Sequence, residues 1–317
     1  MIKAVKALFN EILKFIRSDF HWFSYSYTVV LVALTIFLNY KFDLYNQYIK
    51  PSYFDGSSIW VFPLLYTTLY MLAAIPIFWL RKENKLLRTW AFYLKSLFII
   101  CIYGFSIGYF GYSNWHFDGL VREEILFIYR LISQLKGTIF YLIPLLLLKW
   151  FVDRDTVGLY GLTLKAKYIN GYLILFLLLF PALVGMSFTP DFQIAYPQFK
   201  PWNYENIFGL ATWQYTALFE TSYSIDFVMT ELMFRGALVI GMISIIGKNA
   251  ILPMCVLYVA IHFGKPLGET VSSLFGGYIL GALAFQTRHI WGGVIVHVFI
   301  GLTMEIMGFI QHYTHLK

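Results

Sequence analysis

The chain has 317 residues, of which 59% are apolar, 20% aromatic and only 13% charged, about half the charge of a soluble domain. A soluble globule is excluded, and the uncharged stretches are as long as the ~20 residues that carry a helix across a ~30 Å hydrocarbon layer. They are continuous rather than alternating, which excludes a transmembrane barrel. The net charge of +7 does not point to nucleic acid, because Lys and Arg gather at the ends of the apolar runs, where membrane orientation and anionic lipid account for them.

In chain order, residues 1–22 combine Lys6, Lys14 and Arg17 with Leu8, Phe9, Ile12, Leu13 and Ile16 at spacings of three and four. This predicts a basic amphipathic helix at the interface rather than a cleaved signal. Apolar spans follow at 24–41, 57–80, 90–111, 138–152, 170–188, 226–247, 249–263, 271–287 and 290–311. A shorter run, 207–219, reads as interfacial or re-entrant. The fold class expected is an all-α polytopic bundle of about eight to nine spans. Arg81, Lys82, Lys85 and Arg88 against Glu83 mark that loop as cytoplasmic, together with the N-terminus, leaving 42–56 and 189–206 outside. The chain divides into a basic helix at 1–22, an N-terminal half at 23–206 and a C-terminal half at 207–317. Cys101 and Cys255 lie inside apolar runs and carry no information about redox compartment.

The C-terminal half holds ionisable residues that cost ~2.5–3.5 kcal/mol each at a helix centre, so they are expected to face a cavity and one another. They are Asp226, Glu231 and Arg235, then His262, Lys265 and Glu269, then His297 and Glu305. Glu231 and Arg235 are four apart and share a helix face, as a structural ion pair would. Two histidines on other spans add a second reading, because Glu with His is the equipment for activating water. His262 also reads as an anchor at a helix end, and His297 as a buried histidine bonded to a carbonyl. Gly292, Gly293 and Gly301 around His297 permit close approach of a neighbouring helix or an extended backbone.

The run Thr230-Glu231-Leu232-Met233-Phe234-Arg235, then Tyr258 to His262, then His297 to Gly301 resembles, in order, the EExxxR, FxxxH and HxxxN/D motifs of the CAAX protease and bacteriocin-processing family. The stretch Gly276 to Gly281, with Gln286, Arg288 and Trp291, resembles the connection between the last two motifs. The likeness covers about 220–305. It implies an eight-helix intramembrane bundle that hydrolyses peptide bonds near the membrane surface, in a bacterial cytoplasmic membrane, with membrane lipids and a membrane-associated peptide or protein substrate as partners. In the family the first Glu activates water, the second Glu and the Arg order the site, one His assists proton transfer, and the other His with the Asn binds the oxyanion. Two positions depart from it: Thr230 stands at the first Glu and Gly301 at the Asn.

Glu231 therefore becomes the expected base, with His262 as proton partner, His297 at the oxyanion and Arg235 holding Glu231. Asp226 and Glu269 are the alternative carboxylates, and Thr230 and Gly301 are supporting positions. The favoured mechanism uses no cofactor; the alternative is zinc held by Glu231, His262 and His297. Against the peptidase stand a non-catalytic relative that uses the same site as a binding scaffold, and a transporter, which lacks visible inverted repeats.

Overall fold

The computed structural model describes residues 2–315. It is an all-α bundle, and among the described residues eight helical segments are long and apolar enough to cross a membrane. The chain is an integral, multi-pass membrane protein. Its main helices are α1 (Ile2–Asp19), α2 (Trp22–Lys41), α3 (Ser58–Leu80), α4 (Trp90–Gly108), α5 (Arg122–Phe151), α6 (Ile169–Met186), α7 (Thr212–Glu231), α8 (Ile251–Ala260), α9 (Leu267–Thr287) and α10 (Trp291–His315).

Helix α1 has the expected stripe, but its apolar face serves the protein as well as the interface. Phe15 is fully buried against the rings of Tyr278 and Phe285, and Leu8 packs with Tyr172, Leu280 and Val296. The end of α1 is fastened by a buried ion pair, Arg81 Nη1 to Asp19 Oδ1 at 2.6 Å. Arg81 also donates to Asn249 at 2.9 Å, and Tyr25 donates to Asp19 at 2.8 Å. One end of the bundle is thus closed by α1, the end of α3 and the turn before α8. That end carries the basic loop 81–88.

Elsewhere, helices meet where side chains are small. Ser58 Oγ donates to Gly108 O at 2.6 Å, and a Cβ on Gly108 would come within 2.2 Å of Ser58 O, so only glycine permits this approach of α3 and α4.

The expected spans 226–247 and 207–219 need correction. Residues 212–231 form one continuous helix, so 207–219 is no re-entrant segment; most of it is the first half of α7. The chain then passes through a π-helical turn (Leu232–Ala237), a 3₁₀ turn (Ile240–Met242), a short helix (Ile243–Ile246) and another 3₁₀ turn (Gly247–Ala250) before α8. Every residue from Met229 to Met242 is buried, as are all ten of α8. An apolar run surrounded on all sides looks the same to hydropathy whether it is straight or broken.

Candidate functional site

Glu231 is the last residue of α7, and Arg235 lies inside the π-helical turn that follows. A π turn widens the helix by one residue and is frequent at functional sites; here Leu238 N–H reaches back to Met233 O at 3.0 Å. The two side chains are wholly buried, with Arg235 Nη1 2.9 Å from Glu231 Oε1. From α10, His297 Nδ1 lies 3.1 Å from the same oxygen, and donating there fixes the proton on Nδ1. Gly293, one turn earlier on α10, makes room: a Cβ on it would lie 2.1 Å from Glu231 Oε2.

Arg235 is held without conventional hydrogen bonds. Its Nε, Nη1 and Nη2 hydrogens find no acceptor in hydrogen-bonding geometry, so the 2.9 Å approach to Glu231 is a charge contact whose N–H does not aim at the oxygen. The other face of the guanidinium is covered by the ring of Tyr258, 4.1 Å from its carbon, a cation–π contact that is strongest where water is excluded. Tyr258 is the hub of the site. The His262 ring meets it edge-on at 4.9 Å, the His297 ring is 6.3 Å away, and Tyr258 O accepts from His262 Nδ1 at 2.7 Å.

The sequence-derived residues therefore divide. Glu231, Arg235 and His297 meet directly. His262 stands beside Tyr258, half-buried in the turn after α8, and its hydrogen bond goes to the Tyr258 carbonyl rather than to Glu231. Asp226 is half-buried, a little over one turn before Glu231 on α7. Glu269 accepts from Tyr196 Oη at 2.9 Å and has Lys265 3.9 Å away, which ties it to segment 189–206. Glu305 belongs to the same end, accepting from Gln198 N–H at 2.9 and 3.0 Å. Thr230 is buried. Gly301 packs against Phe227, whose Cε2 would be 2.2 Å from a Cβ at position 301, so an Asn there would need the space of that ring.

Zinc does not fit this arrangement. Among the described residues no three His, Cys, Asp or Glu side chains gather as a metal would require, and Glu231 Oε1 already lies 2.9 Å from a guanidinium that would repel a dication.

The start of α10, which aims His297, is set by the loop between α5 and α6. Ile290 N–H donates to Gly161 O at 3.1 Å and Trp291 Nε1 to Thr163 O at 2.6 Å. That loop is in turn pinned by buried Asp153, which takes Lys95 Nζ and Tyr160 Oη at 2.6 Å each. Phe227 is the site residue whose part the sequence did not declare, since an aromatic in an apolar run reads as core; Gly301 opposite it was the available signal.

Residues 211–303 match the family model described as type II CAAX prenyl endopeptidase Rce1-like. The matched stretch begins just before α7, ends within α10 and contains Glu231, Arg235, Tyr258, His262 and His297. This part of the chain is similar to the CAAX-protease family. No curated protein and no solved structure gives a significant match to the chain.

Proposed function

We propose that the chain is an intramembrane endopeptidase of the CAAX-protease type, in which Glu231 and His297 act as one unit. The observation that carries this reading is the 3.1 Å contact of His297 Nδ1 with Glu231 Oε1, inside the segment that matches the prenyl endopeptidase model. With Nδ1 donating to the carboxylate, Nε2 bears the lone pair and takes a proton from the attacking water, while Glu231 orients the ring and stabilises the imidazolium. Arg235 sets a positive charge 2.9 Å from Glu231 Oε1 in a site without solvent. The side chain of His297 is 16% exposed whereas that of Glu231 is 0% exposed, so the imidazole is the group a water or substrate meets. The proton then passes from His297 Nε2 to the leaving amine. His262, its Nδ1 committed to Tyr258 O, keeps Nε2 as an acceptor that can hold the water.

A second reading has its own support. Glu231 Oε1 already has two partners, and neither Thr230 nor Gly301 supplies the side chain expected at its motif position. A non-catalytic relative that keeps the charged set as a scaffold would look like this. The test is cleavage of a prenylated peptide ending in a CAAX sequence by the purified protein in proteoliposomes. Cleavage by wild type that is lost in Glu231→Gln and His297→Ala, both still folded, supports the peptidase. Wild type no faster than the two variants supports the scaffold.

A further inference from the structure

Phe227 lies one turn before Glu231 on α7. The centroid of its ring is 4.3 Å from that of His297, with the planes 38° apart. The far edge of the ring seats in the notch left by Gly301, where a Cβ would come within 2.2 Å of Cε2 and 2.5 Å of Cζ. Tyr223, a turn earlier, backs the ring at 4.5 Å. The groove between α7 and α10 beside His297 is therefore filled from within by this side chain. Glu231 is sealed from solvent, so what remains open of the pair is one part of the imidazole, and Phe227 stands against it.

We propose that Phe227 is a positioning residue with two effects: it holds the imidazole plane so that Nδ1 faces Glu231, and it closes the α7–α10 groove. Anything larger than water reaches His297 only when the ring leaves Gly301. The consequence for turnover rests on the peptidase reading, whereas the hold on His297 stands without it. Gly301 and Phe227 form one device, because the ring can sit there only while position 301 has no side chain.

The test uses the full-length protein in nanodiscs, with diethyl pyrocarbonate as the probe and mass spectrometry of the peptide containing His297 as the readout. A closed site whose open state is at most ~10% populated gains about tenfold or more in reactivity when the closing group is removed. Phe227→Ala is therefore expected to speed carbethoxylation of His297 by that factor while leaving His262 at its wild-type rate, and Phe227→Leu to give a rate between the two. Equal His297 rates in wild type and Phe227→Ala overturn the proposal. Should Phe227→Ala fold poorly, thermal melting of Gly301→Ala decides: its loss of stability is expected to shrink when Phe227→Leu is added, and a loss that does not depend on residue 227 overturns the pairing. These readouts need no turnover. An inactive protein with a tenfold effect on His297 sinks the peptidase alone, and an active one with no effect sinks only the part assigned to Phe227.

Discussion

Arg235 has no exposed surface and no hydrogen-bond acceptor, so its charge is balanced by one carboxylate and one aromatic face. Breaking a buried pair from one side costs about 3–5 kcal/mol, because the remaining charge is left uncompensated. Arg235→Ala is expected to lower the folded yield and melting temperature in detergent more than Glu231→Gln does, since Gln keeps a polar group beside the guanidinium and Tyr258 still covers it. Equal melting temperatures would show that the two side chains do not depend on each other. Gly293→Ala makes a complementary case. The added methyl would sit 2.1 Å from Glu231 Oε2, and overpacking of this kind costs about 1–3 kcal/mol. A melting temperature equal to wild type would mean that Glu231 is not packed on α10. At this scale the spacing of Glu231 and Arg235 was legible, and so was the company of His297. The oxygen that His297 shares with Arg235 was not, because it depends on which face of α10 turns toward α7.

Among the elements, the least legible was the passage from α7 to α8. The sequence shows two apolar runs, but burial on every side removes the polar face that would have marked each bend, and the π turn has no compositional signature. The N-terminus of α10 is the element that carries the site, and His289 lies at its root. His289 is 2% exposed, with Nε2 3.0 Å from Lys167 N and 3.1 Å from Lys167 O. Burial, aided by the nearby Lys167 charge, pushes its pKa below the ordinary value of 6.5. For a base with a depressed folded pKa, the unfolded chain binds the proton first, so stability is lost as pH falls from about 6.5 toward the folded value. Wild type is expected to lose more melting temperature between pH 7 and pH 5 than His289→Gln, which cannot titrate. The same loss in both proteins would contradict the assignment.

For the whole molecule, charge placement and apolar length were enough to give the class and the approximate number of spans, since the cost of a misplaced charge in hydrocarbon leaves few options. Orientation rests on the same reasoning. Arg81 is drawn into a buried ion pair with Asp19, but Lys82, Lys85 and Arg88 remain at the bundle end that α1 also closes, and that end is expected to be cytoplasmic. In a background with Cys101 and Cys255 replaced, a cysteine at Lys85 is expected to resist an impermeant maleimide added from outside, whereas one at exposed Asp55 reacts. Labelling at 85 and protection at 55 would invert the topology.

The peptidase reading depends on Glu231 and His297 working as one unit. Groups that act together are strongly non-additive, so removing the second costs little once the first has gone. The measurement is kcat/KM for a prenylated CAAX peptide in proteoliposomes across wild type, Glu231→Gln, His297→Ala and the double variant. The unit predicts that each single change removes nearly all cleavage and that the double variant is no slower than either. Multiplying effects, or a Glu231→Gln enzyme that cuts like wild type, would contradict it.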